Sequence, residues 1–135
     1  TAASFGDGIA KIADFGLSCI LNSAEVKRSP EYIRGDRVTL KSDIYSLGMC
    51  ILEATTGEAP WGALVANDAA VRFKVKKGNL PLRPACLSDA QWTLIQMMCA
   101  VGSSQRIDIS FVANKLHEFA QQQGYRCRDE NYLSW

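Results

Sequence analysis

The stretch "KSDIYSLGMCILEATTGEAPWG", Lys41 to Gly62, decides how the chain is read. Ser42 is placed to cap a helix and Gly57 to end it in a left-handed conformation, which predicts a helix over Ser42 to Thr56. Its interior, "IYSLGMCILEA", is apolar nearly all round. Such a helix is buried on every side and needs other helices packed around it.

The rest of the sequence supplies them. Asn67 to Lys77 reads as a shorter helix, capped by Asn67 and closed by Gly78, with Val71 and Val75 facing one way at i and i+4. Pro81 and Pro84 force an extended linker. Ser88 to Ala100 opens with a capping box, Ser88 and Gln91, and a staple from Leu87 onto Trp92. Its stripe is Trp92, Ile95, Met98 and Cys99. Asp108 to Gln122 sets Ile109, Val112, Ala113, Leu116, Phe119 and Ala120 on one face. Toward the N-terminus, Ile9 to Ala13 alternates as a short strand, and residues 1–7 read as a second hairpin arm. The fold class is therefore mainly α, with a short N-terminal β hairpin or strand.

Composition narrows the function. The chain has 135 residues, 47% hydrophobic and 21% charged, ordinary for a globular domain or part of a larger one. A net charge of +1 and the lack of a basic stripe argue against nucleic acid as a partner. No segment approaches the roughly 18 apolar residues of a membrane span. The five cysteines, Cys19, Cys50, Cys86, Cys99 and Cys127, are too far apart for a zinc or redox pair and read mostly as small buried apolar residues. Their odd number suits an intracellular, cytoplasmic setting. His117, the only histidine, lies on the last helix without an acid–base partner in reach and reads as a partly exposed helix residue.

Four motifs stand in order along this frame. Asp14-Phe15-Gly16 follows the strand in "KIADFGLS". An aspartate there can offer its carboxylate to a hard cation, and Gly16 lets the backbone turn sharply. Alone, the triplet would be read as a turn. Ser29-Pro30-Glu31 opens "SPEYIRG". Asp43 begins the buried helix. Arg106 lies in "SSQRIDIS", between the last two helices.

In this order and spacing the chain resembles the C-terminal lobe of a eukaryotic protein kinase, with helices F, G, H and I and no N-terminal lobe. The wording around helix F and "DFGLS" is most similar to the tyrosine-kinase-like group, whose members usually phosphorylate Ser or Thr. The resemblance implies that Asp14, Phe15 and Gly16 contact Mg-ATP in a complete domain, with Asp14 the metal ligand. It implies structural roles for Glu31, Asp43, Gly48 and Arg106. In the family, the glutamate matched by Glu31 pairs with the arginine matched by Arg106. The aspartate matched by Asp43 accepts backbone N–H bonds from the catalytic loop. The chain divides into a hairpin region (1–13), a shortened activation segment (14–31), a helical lobe (32–123) and a tail (124–135).

Several parts of the catalytic machinery have no counterpart in these residues. The first thirteen, "TAASFGDGIAKIA", hold no His-Arg-Asp triplet and no asparagine, and no phosphate-gripping lysine is matched. Only twelve residues separate Gly16 from Ser29; members of the family carry a longer segment there, so the resemblance implies that the shelf that receives a peptide substrate is missing. Ser18, Ser23 and Ser29 are the hydroxyls of this loop, and Ser23 is the expected phosphorylation site. The reading is a kinase fragment that binds Mg-ATP poorly by itself. The alternative is a non-catalytic, pseudokinase-like module that holds a protein substrate or partner through the helix G region, Trp61 to Lys77.

Overall fold

The computed structural model describes residues 5–6, 9–10, 27–62, 64 and 67–122. Strands β1 (Phe5–Gly6) and β2 (Ile9–Ala10) pair antiparallel, Phe5 opposite Ala10 and Gly6 opposite Ile9. Helices follow at Pro30–Arg34 (α1), Leu40–Thr56 (α2), Asp68–Lys76 (α3), Asp89–Met98 (α4) and Ile109–Gln122 (α5). The described fold is mainly helical, as the sequence predicts.

Helix α2 begins two residues before the expected start. Thr39, not Ser42, is the cap: its side chain accepts from the Lys41 N–H at 3.2 Å, while Thr39 N–H donates to Ser42 Oγ at 3.1 Å. Ser42 is thus the third helical residue and closes a capping box from inside. Gly57, at φ 73°, ends the helix as expected. Helix α1 was not anticipated, although Ser29, Pro30 and Gly35 are a cap, a first-turn proline and a left-handed terminator. Ser29 Oγ accepts from the Tyr32 N–H at 3.3 Å. The starts of α3 and α4 follow the sequence, with Asn67 and the Ser88–Gln91 box as caps.

The core joins Ile44, Tyr45, Met49 and Leu52 of α2, Val71 and Val75 of α3, Leu94, Ile95 and Met98 of α4, Cys99, and Val112 of α5. Met49 and Met98 are completely enclosed, and burying such a side chain stabilises by about 1.5–3 kcal/mol. Gly48 is what lets α2 and α4 approach: a Cβ there would lie 2.6 Å from Cys99 Sγ and 3.3 Å from Met98 Cβ.

Three expectations need correction. Helix α2 is not buried on every side, because Asp43, Ser46, Leu47 and Cys50 remain half-buried and Ala54 is exposed. On α5 only Val112 is buried, while Ile109 and Leu116 are exposed. Of the described cysteines, Cys99 is buried, Cys50 half-buried and Cys86 exposed.

Candidate functional site

The polar centre of the fold is built where α1, α2 and the Ser103–Gln105 turn meet. Glu31 stands in the first turn of α1, where a carboxylate suits the helix dipole. The turn delivers Arg106 in extended backbone, directed at Glu31. The pair is bidentate, Nη1 to Oε1 at 2.6 Å and Nη2 to Oε2 at 2.8 Å. The remaining guanidinium hydrogens go to main-chain oxygens: Nε to Ala100 at 2.7 Å, Nη1 to Lys41 at 2.9 Å and Nη2 to Val101 at 3.4 Å. Ser42 Oγ donates to Glu31 Oε1 at 2.7 Å. The guanidinium also lies 5.1 Å from the ring centroid of Tyr45.

This charge pair is buried, and a buried pair is tolerated only when its hydrogen bonds are complete. Here they are. Burial pushes the Glu31 carboxyl up, but the bonds from Arg106 and Ser42 outweigh it and bring it to about 2. With every donor committed, the cluster holds three chain segments together and has no proton to give. Cys99 beside it is inert, its thiol pushed up to about 12 by burial.

Asp43 occupies the other side of α2. It accepts no hydrogen bond from the described residues, and burial raises its carboxyl against the opposing pull of Arg28. The Arg28 guanidinium lies 4.5 Å over the Tyr32 ring, with its Nε buried and without a partner among the described residues. Lys27 pairs with Glu53 on that same flank.

A third feature is a cavity of about 570 Å3 between the end of α2, residues 58–62 with Leu64, and the segment after α3, lined by Leu52, Trp61, Lys74, Leu80 and Leu82 among others. Trp61 takes φ 74°, a left-handed conformation that costs a bulky residue roughly 1–2 kcal/mol. Its indole N–H is buried without an acceptor among the described residues. The sequence gives no sign of the cavity, which depends on how the Leu80–Pro84 linker folds back.

Of the residues singled out from sequence, Glu31 and Arg106 come together, Gly48 abuts Cys99 and Met98, and Asp43 faces away from that cluster. Asp14, Phe15, Gly16, Ser18 and Ser23 lie outside the described residues. Ser29 is buried in its capping role and is not open to modification. His117 is exposed and bonds Gln121. Sequence reasoning missed Ser42 as the link to Glu31 and Arg28 as the neighbour of Asp43. For Ser42, the Thr39-x-x-Ser42 spacing was the available signal.

Residues 4–119 match the protein kinase domain family. The chain belongs to that family. Similar proteins include the serine/threonine/tyrosine-protein kinase HT1 of Arabidopsis thaliana, 30% identical over 118 residues, covering 81% of this chain and 30% of the relative. Mitogen-activated protein kinase kinase kinase 18 of the same plant is 33% identical over 93 residues, 62% of this chain and 27% of the relative. The leucine-rich repeat receptor-like protein kinase PXC1, also of Arabidopsis thaliana, is 43% identical over 60 residues, 40% of this chain and 9% of the relative. The chain thus spans less than a third of the length of each of these relatives. Protein kinase domains use Mg-ATP. Among the described residues of this kinase chain, no group of three or more His, Cys, Asp or Glu could hold a metal ion. No described helix is long and apolar enough to cross a membrane.

Proposed function

We propose that these residues form the C-terminal lobe of an ATP-dependent protein kinase of the tyrosine-kinase-like group, directed at Ser or Thr, and that the 135-residue chain alone transfers no phosphate. The observation that carries the reading is the Glu31–Arg106 clamp, which ties the Ser-Pro-Glu segment to the turn before the last helix, at the motif positions implied by the family pattern. Under this reading residues 1–13 are a hairpin region, 14–31 a shortened activation segment, 32–123 the helical lobe and 124–135 a tail. Its setting is intracellular and cytoplasmic. Asp14 is the magnesium ligand, with Phe15 and Gly16 beside it, once the phosphate-gripping lysine and the catalytic aspartate are supplied. A single carboxylate holds Mg-ATP poorly, because magnesium keeps its waters and relies on phosphate oxygens as co-ligands.

The test is a labelled-ATP assay on the 135-residue chain with a generic protein substrate, beside a longer polypeptide from the same source that carries these residues. The expected result is no incorporation by the short chain, with activity in the longer one that Asp14→Asn abolishes. Phosphate transfer by the short chain would overturn the reading.

A second reading is a docking module that holds a protein partner on the α3 side. It draws support from the cavity beside α3 and from Phe73 and Leu82, 59% and 94% exposed on that side of the chain.

A further inference from the structure

We infer that the cavity between the end of α2, residues 58–62 and the Leu80–Pro84 segment receives a partner peptide with a bulky apolar anchor flanked by acidic residues. The inference rests on the docking reading of the α3 side and adds the chemistry of the partner. About 570 Å3 falls within the range of pockets that enclose an organic group. Leu52, Trp61 and Leu80 make its walls apolar, so the group that enters is apolar. Leu82, also in the lining, is 94% exposed, an apolar side chain held in water at the edge of an apolar hollow. A ligand seated there would cover it.

The charge around the opening selects the flanks. Lys74 lines the cavity and has no ion pair among the described residues. Lys76 and Lys77 follow in the same helix end, Lys77 lying 4.6 Å over the Phe73 ring. Arg83 is already committed to Asp89 and to the Leu87 carbonyl. Against these lysines the described lining offers one acidic residue, Glu58. The local field therefore favours carboxylates on either side of the anchor. The indole N–H of Trp61, buried without an acceptor among the described residues, is a donor that a peptide carbonyl could satisfy.

The test uses the full 135-residue chain and a fluorescein-labelled peptide with a central Phe-Leu pair between glutamate runs, read by fluorescence anisotropy. Two control peptides carry lysine runs around the same centre, or an Ala-Ala centre between glutamates. We expect the Glu-flanked Phe-Leu peptide to bind at least about tenfold more tightly than either control, and about tenfold less tightly to Leu82→Asp and to Lys74→Glu. Leu82 is so exposed that its substitution leaves the thermal melt in place, and this variant decides the matter if Lys74→Glu disturbs the fold. Equal binding of the Lys-flanked peptide overturns the acidic partner but leaves docking intact. Failure of every Phe-Leu peptide to bind, or binding unchanged in both variants, overturns docking at this cavity as well. A concentration-dependent dimer that Leu82→Asp abolishes assigns the cavity to a second copy of the chain and overturns the inference.

Discussion

On one side of α2, Ser42, Tyr45, Met49 and Leu52 are closed off against the rest of the lobe, whereas on the other Asp43, Leu47 and Cys50 stay half-buried and Ala54 is exposed. The closed side carries a buried charge that is completely hydrogen-bonded. The open side carries a carboxylate that finds no hydrogen bond among the described residues, and a Cys50 thiol raised by burial. One helix therefore shows both ways a polar group can sit in a core. The difference teaches that satisfaction, not burial alone, separates a stabilising charge from a costly one. In the proposed reading, the open side is where a catalytic-loop backbone would supply the donors that Asp43 lacks.

The largest effect is expected where satisfaction is complete. Arg106→Met strands Glu31 without its partner and should cost about 3–5 kcal/mol in urea unfolding. Adding Glu31→Leu should recover much of this loss, because an apolar pair leaves no buried charge. Titration sharpens the point. The folded carboxyl of Glu31 lies at about 2, below its ordinary 4.5. Its contribution is then complete above about pH 4.5 and is lost as pH falls toward 2. Urea midpoints measured between pH 7 and 2 should show that loss in the native chain and not in the double variant.

Next comes the packing contrast. Met49→Ala on the closed side should cost about 2–5 kcal/mol, since a completely enclosed side chain leaves a cavity. Leu47→Ala on the open side should cost less, on the order of 1 kcal/mol, because the site is already partly in water. Equal losses at the two positions would show that both sides are closed in solution. Gly48→Ala probes the seam between α2 and α4. The new methyl meets Cys99 Sγ at 2.6 Å and should cost about 1–3 kcal/mol. Gly48→Ala combined with Cys99→Ala should recover stability if that contact is the cause.

How much of this was legible in the sequence follows from the range of each interaction. Caps act within one helical turn, so Asn67 and the Ser88–Gln91 box could be read directly. The start of α2 was misplaced because Ser42 is both a plausible cap and the third residue of a box led by Thr39. Helix α1 was overlooked although Ser29, Pro30 and Gly35 mark it, because five residues carry no periodicity. The apolar run of α2 showed that the helix is central but not which side is closed, since that depends on which segments pack around it. The Glu31–Arg106 pair spans 75 residues, and no local pattern brings them together. Only the resemblance to a kinase lobe named both. The cavity beside α3 was invisible, because it is made by a linker whose path no periodicity describes.

The smallest effect has the opposite sign and tests the open side directly. Burial raises the Asp43 carboxyl, with Arg28 opposing. A raised folded value means that the folded chain prefers the protonated form, so ionisation counts against folding once pH climbs past the usual aspartate value, and the penalty is complete above the folded value. Asp43→Asn keeps the shape and removes the charge. It should therefore stabilise the 135-residue chain slightly at pH 7 and change little near pH 3, below the usual aspartate value, where the native carboxyl is already mostly protonated. Matched urea unfolding curves at the two pH values measure this. A loss of stability at pH 7 would mean that the Asp43 charge is held by a donor or by Arg28 strongly enough to offset its burial, and the two sides of α2 would then be alike in satisfaction though not in exposure.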